Sequence, residues 1–118
     1  MSASSAVATK AVVDGVFRAL SDPTRRDVLE RLSRKPSSVS ELAAGTRMAL
    51  PSFVAHLKVL EGAGLVRSRK TGRVRTYELA PARLRVAEDW LGRQRSLWER
   101  RLDQLDAYLL RLKKERSA

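Results

Sequence analysis

The chain has 118 residues, with 24 Lys+Arg against 13 Asp+Glu and a formal net charge of +11, which fits one domain of ordinary size and opposes self-association until a polyanion or counterions offset the charge. Without cysteine and with a single histidine, disulfides, thiolate metal sites, Cys nucleophiles and any site needing two histidines are excluded. Apolar residues make up 43% but aromatics only 5%, so a core has to be built mostly from Leu, Val and Ala, and no apolar run approaches the ~20 residues of a membrane span.

Residues 1–6 (MSASSA) read as a disordered tail without the charged-then-apolar layout of a secretory signal. The expectation is a cytoplasmic protein with one domain over 7–118. A first helix carries Val12, Val16, Phe17 and Leu20 at helical spacing. Ser21-Asp22-Pro23 stops it and starts a second, with Asp22 as N-cap and Pro23 at the first helical position. The second helix places Val28, Leu29 and Leu32 on one face and ends at Lys35-Pro36-Ser37. Ser38 and Glu41 form an S-x-x-E capping box for a short third helix, Val39 to about Gly45. After a turn over 46–50, a fourth helix begins near Pro51 with Phe53, Leu57 and Leu60 inward, and Gly62-Ala63-Gly64 ends it.

The period then changes. Leu65–Lys70 and Arg73–Leu79 read as two strands of a hairpin around Thr71-Gly72, with Arg73, Arg75, Tyr77 and Leu79 on one face of the second strand. Ala80-Pro81 opens a long helix over about 81–116, on which Leu84, Leu91, Trp98, Leu105 and Leu112 recur every seven residues, with Ala87, Leu102 and Leu109 between them. About 30 helical residues reach roughly 45 Å, against ~26 Å across a domain of this size. Much of that apolar seam has no cover in its own chain, and a second copy of the helix is the simplest one.

Three helices, a fourth after a tight turn, then a two-stranded hairpin is the order of a winged helix-turn-helix: mainly α, with a small two-stranded β-wing over residues 7–80 and a long C-terminal dimerisation helix. In that arrangement the fourth helix enters the ~12 Å major groove and the wing lies along the backbone. Arg67, Arg69, Lys70, Arg73 and Arg75 fall within nine residues, a phosphate-contact surface by charge. The expected partner is double-stranded DNA.

Two segments resemble the ArsR/SmtB-type bacterial transcription regulators: Phe17-Arg18-Ala19-Leu20-Ser21-Asp22-Pro23-Thr24-Arg25-Arg26, and His56-Leu57-Lys58-Val59-Leu60-Glu61 followed by Gly62-Ala63-Gly64-Leu65-Val66. The resemblance runs from about Val12 to Leu109. The tail Trp90-Leu91, Trp98-Glu99-Arg100-Arg101-Leu102-Asp103 and Ala107-Tyr108-Leu109 is similar to a metal-independent branch whose genes often neighbour those of SRPBCC-type ligand-binding proteins. The resemblance implies a homodimeric repressor at an inverted-repeat operator, often its own promoter. It places Leu50, Pro51, Ser52, Val54, Ala55 and Lys58 on the recognition helix toward the groove, and Ser40 and Arg47 near phosphates. It assigns dimerisation to Val12 and Val16 of the first helix and to Leu91, Trp98, Leu102, Leu105 and Leu109 of the last.

The recognition segment departs from the family pattern. Ala49 stands where a serine would cap the helix, a change typically worth ~0.5–2 kcal/mol. Val54-Ala55 replaces a polar Ser-Lys pair. Hydrogen bonds to base edges are therefore nearly absent, leaving apolar contact with thymine methyls, phosphate contacts and DNA shape. The same apolar surface also fits a winged-helix homodimer that acts through protein–protein contacts or binds DNA non-specifically.

Metal sensing by the family's routes lacks its ligands: Val39–Ala44 has no thiolate, and Glu99, Asp103 and Asp106 form a carboxylate stripe with Arg95, Arg100 and Arg101 nearby. No metal or cofactor is expected, and no inducer is indicated. His56 reads as a helix-supporting side chain, and Trp90 and Trp98, whose directions differ by about 80°, as packing beside the dimer seam. No Gly-rich phosphate loop, G-x-S-x-G or H-E-x-x-H occurs, so an enzyme is not expected and no catalytic residue is assigned.

Overall fold

Local capping chemistry sets the helix boundaries. The computed structural model describes the backbone of residues 3–117 and the side chains of residues 8–117. Helix α1 spans Ala3–Leu20, so it takes in residues 3–6 of the expected tail; a segment rich in Ala, with no Gly or Pro before Gly15, favours helix. Met1 and Ser2 lie outside the described residues. Helix α2, Pro23–Leu32, starts as the sequence predicts: Asp22 in extended backbone accepts from the Arg25 N–H at 3.0 Å, with Pro23 in the first turn.

Strand β1 is Ser37–Ser38, and the capping box follows at once. The Ser38 Oγ accepts from Glu41 N–H at 3.1 Å and Glu41 Oε1 accepts from Ser38 N–H at 3.0 Å. They start α3, Val39–Ala43. Helix α4 is Leu50–Gly62, and its N-cap Ala49 makes no side-chain cap bond, as the missing hydroxyl predicts.

The end of α4 is a Schellman motif. Leu65 N–H donates to Leu60 C=O at 3.1 Å and Gly64 N–H to Glu61 C=O at 3.0 Å, with Gly64 at φ +76°. A side chain at Gly64 would be strained by that backbone, so glycine is favoured there.

Strands β2 (Val66–Thr71) and β3 (Val74–Leu79) pair antiparallel, and β1 joins the outer side of β3, giving the order β1-β3-β2. The hairpin turn is Gly72-Arg73, one residue later than predicted, because Thr71 still pairs with Val74. Gly72 sits at φ +62° while Arg73 is not at positive φ, the pattern of a type II′ turn. The third strand, not anticipated from the sequence, is two residues long and pairs Ser37 with Tyr77.

Beneath the sheet and helices, Val16, Val28, Leu42, Phe53, Leu57 and Leu60 are buried together with Leu65, Val66, Tyr77 and Ala87. Burial is the main cause that raises the Tyr77 phenol above its ordinary pKa of 10.0, with the Glu61 carboxylate adding to it. Helix α5 runs Ala82–Ser117, 36 residues, within a residue of the expected 81–116 at each end.

The chain forms two compact units, Met1–Ala87 and Glu88–Ala118, with the boundary inside α5. The first unit holds the winged helix-turn-helix and its core. The second is the remainder of α5, and it exposes Leu91, Leu97, Trp98, Leu102, Leu105, Tyr108, Leu109 and Leu110. Among the described residues no helix is long and apolar enough to cross a membrane.

Candidate nucleic-acid interface

The buried stripe of α4 dictates what its other side presents. With Phe53, Leu57 and Leu60 turned into the core, Leu50, Pro51, Ser52, Ala55 and Lys58 are exposed and Val54 is half-buried. Leu50 is 56% exposed. Arg47 in the loop before α4 and Ser40 on α3 are exposed as well. The predicted recognition residues therefore share the outward side of α4, and its polar members are Ser52 and Lys58.

Three arginines of α2 that the sequence reading left without a role brace its neighbours: Arg25 the end of α1 and α4, Arg26 the end of α1, and Arg31 α3. Arg25 donates from Nε to Ala19 C=O at 2.7 Å and from Nη2 to Arg18 C=O at 3.0 Å. Its Nη1 lies 3.0 Å from His56 Nδ1, so it ties the end of α1 to α4. His56 Nδ1 is also 3.7 Å from Asp22 Oδ2. The histidine is thus a brace, as the sequence predicts.

Arg26 donates to Leu20 C=O at 2.7 Å. Arg31 reaches across to α3, donating to Leu42 C=O at 2.8 Å and to Glu41 C=O at 2.9 Å. These carbonyls at helix ends lack intrahelical partners and carry the negative end of the helix dipole, so guanidinium donors satisfy them well. Sequence offers no signal that separates a bracing arginine from a phosphate-binding one.

The wing corrects one expectation. All five cations are exposed, but they do not form one surface. Alternation puts Arg67 and Arg69 on the face shared with Thr76 and Glu78, while Lys70 and Arg75 share the opposite face with Ser68 and Tyr77. Arg73 is at the turn and not in the strand.

Arg67 sits opposite Glu78 and donates from Nε to its Oε1 at 2.7 Å, so this cation is partly neutralised. Arg75 donates to Ser68 Oγ at 2.8 Å, and Ser68 Oγ donates to Glu61 Oε2 at 2.6 Å, which draws Arg75 back toward α4. The period-two alternation of Val66–Thr71 is the signal that separates the two faces. Arg67 and Arg69, with Pro36, Thr76 and Glu78, line a groove of about 640 Å³.

The expected dimer residues divide likewise. Val16 is fully buried in its own chain's core, at 0% exposure, and has no surface for a partner. It falls on the same side of α1 as Val13 and Ala19, which are also buried. Val12 is half-buried against that core. Leu91, Trp98, Leu102, Leu105 and Leu109 are all exposed. Trp90 and Trp98 line one groove with Leu91, Gln94 and Arg95. Among the described residues no three His, Cys, Asp or Glu side chains gather where they could hold a metal ion.

Residues 20–69 match a family described as a helix-turn-helix domain. Over 89 residues the chain is 40% identical to the HTH-type transcriptional regulator Rv2034 of Mycobacterium tuberculosis, covering 75% of this chain and 80% of that protein. A crystal structure of an ArsR family transcriptional regulator is similar at 50% identity and a TM-score of 0.74, covering 76% of this chain and 93% of that one. A homodimeric winged helix-turn-helix DNA-binding domain from Mycobacterium bovis is similar at 27% identity and a TM-score of 0.63, covering 82% and 91%.

Proposed function

Because the chain belongs to the ArsR-type family of winged helix-turn-helix transcriptional regulators, and so is a DNA-binding regulator and not an enzyme, we propose that it acts in the cytoplasm as a homodimeric repressor at a short imperfect inverted repeat, its own promoter included. Two-fold symmetry sets two α4 helices in successive major grooves about one helical turn apart. Leu50, Pro51, Ser52, Val54, Ala55 and Lys58 face the groove, and Ser40 and Arg47 meet phosphates beside it. Arg69, Lys70 and Arg73 make the main backbone contacts of the wing, with Arg67 and Arg75 held by Glu78 and Ser68 until a phosphate competes. A dimer seated on promoter DNA represses by excluding other proteins from it.

The dimer forms through α5. Trp98, Leu102, Leu105, Leu109 and Leu112 alternate spacings of four and three residues, the repeat of a coiled-coil seam, and Leu91 extends it. Val16, fully buried in its own chain's core, plays no part in it.

The observation that carries this reading is the exposed outer side of α4, flanked by Arg47 and Lys58 in a chain of net charge +11. A mobility-shift titration on the DNA upstream of the gene, with scrambled competitor and a salt series, tests it. The expected result is a shift that scrambled DNA competes poorly and that weakens steeply with salt. Equal competition by scrambled DNA would favour a non-specific binder. No shift at low salt would favour the second reading, a homodimer acting through protein contacts, to which the exposed Leu50-Pro51-Val54-Ala55 surface also lends itself.

A further inference from the structure

The front of α4 is chemically one-sided. Leu50, Pro51, Val54 and Ala55 offer no side-chain donor or acceptor, and His56, the next polar residue after Ser52, is committed inward to Arg25. Reading a base edge by hydrogen bonds takes side chains such as Arg or Lys for guanine and Asn or Gln for adenine. The front lacks all of these except Lys58, about one turn beyond Val54, and adds only the short Ser52 hydroxyl, which favours no particular base. The apolar group that a major groove does present is the methyl on C5 of a pyrimidine. Continuity with the surrounding cations makes a polyanion the complementary partner here, because Arg47 and Lys58 bracket the patch on a chain of net charge +11.

We infer that the α4 front selects its DNA by 5-methylpyrimidines: Leu50, Pro51, Val54 and Ala55 form an apolar surface that covers C5-methyl groups in the major groove. Thymine supplies that group in ordinary DNA and 5-methylcytosine supplies it in modified DNA. The inference rests on the proposed DNA reading and adds to it the chemical group recognised. Discrimination then comes from desolvating a methyl and not from satisfying a base edge. A guanine or unmethylated cytosine at the same place leaves polar edge atoms against an apolar surface, which is a penalty as well as a missed contact.

The test starts from sites that the full chain enriches from a random duplex library, measured afterwards by fluorescence anisotropy. Each enriched site is resynthesised with deoxyuridine for thymidine, which deletes the methyl and leaves Watson–Crick pairing intact. Burial of one methylene-sized group corresponds to about a fourfold change in affinity. One methyl lost from each half-site should therefore weaken binding about 15-fold.

A second set carries 5-methylcytosine at its cytosines. Tighter binding there assigns modified DNA as a source of the methyl, and no change there beside the uracil loss assigns thymine. In the Val54→Thr and Leu50→Gln variants, whose folding is checked by circular dichroism, the gap between thymine and uracil sites should narrow. Equal binding to thymine and uracil versions of an enriched site would overturn the methyl reading and leave DNA binding standing. Salt-sensitive binding without any enrichment would also overturn it. No binding to any duplex would overturn both readings and leave the patch to a protein partner.

Discussion

Replacing Leu105 with lysine is the sharpest test of the dimer. Leu105 is 50% exposed in the single chain, between Leu102 and Leu109, which are exposed to a similar degree. Burying a whole leucine side chain is worth ~2 kcal/mol, so covering its exposed half gives about 1 kcal/mol. Two-fold symmetry buries the residue twice, and Leu105→Ala should cost about 2 kcal/mol, or about 30-fold in the dimer dissociation constant. Leu105→Lys loses the same burial and brings two ammonium groups to an apolar seam. Their long stems let the charges reach water, so the added cost is about another order of magnitude and not the full desolvation of two ions.

Lysine favours helix about as well as leucine. Because Leu105 is exposed in the single chain, its replacement should leave helix content unchanged. Sedimentation equilibrium across micromolar concentrations, with far-UV circular dichroism as the folding control, reads the effect. A Leu105→Lys protein that dimerises as tightly as the native chain would show that the α5 seam is not the interface.

Four further outcomes follow from the same structure. Ala49→Ser should supply the missing cap of α4 and stabilise the chain by about 1 kcal/mol, read as a rise of a few degrees in the thermal midpoint; no rise would mean that Ala49 is not the effective cap. Val16→Ala should cost about 2 kcal/mol of stability in urea titration with dimerisation unchanged, whereas an interface residue would show the reverse. Arg69→Ala should flatten the salt dependence of DNA binding by about one unit, and Arg67→Ala by less, since Glu78 already pairs with Arg67; the opposite order would contradict the assignment of wing contacts.

The fourth concerns acid. The Arg25 N–H, as the largest cause, holds the Asp22 carboxyl below its ordinary 3.8, and the Ser38 N–H holds Glu41 below 4.5. Both groups stabilise the fold above their ordinary values, and that contribution is lost as pH falls through the lower native values. An Asp22→Asn, Glu41→Gln variant keeps both caps as neutral groups. It should lose less thermal stability than the native chain on going from pH 5 to about pH 3. Parallel profiles would refute the caps as the acid-sensitive groups.

What could be read from the sequence was chemistry that acts over three or four residues. Asp22-Pro23, Ser38 with Glu41, the uncapped Ala49 and the glycine at 64 each have a local cause, and each sits where that cause puts it. The pieces that escaped depend on partners far away in the chain. Ser37–Ser38 is a strand because Tyr77 and Thr76 arrive beside it, and two residues carry no period of their own.

A hairpin turn placed one residue early set Arg67 across from Thr76 instead of Glu78, which hid the ion pair. The apolar spacing of α1 marked Val16 for burial without saying whether its own core or another copy would cover it. The arginines at 25, 26 and 31 looked like any other cation until the carbonyls they hold were in view. At the candidate interface, membership of the α4 face was legible, and the division of labour in the wing was not.

The left-handed glycine at position 64 sets the turn between the rod and the flap that it joins. Its left-handed backbone, at φ +76°, suits no other residue as well, and Ala80 N–H clips back onto Leu65 C=O at 2.9 Å. A reader built this way keeps a fixed gauge between its groove-seated part and its rim-seated part. Under the proposed function any misfit in pitch is taken up by the duplex, so base steps that yield easily gain an advantage at positions the protein never touches.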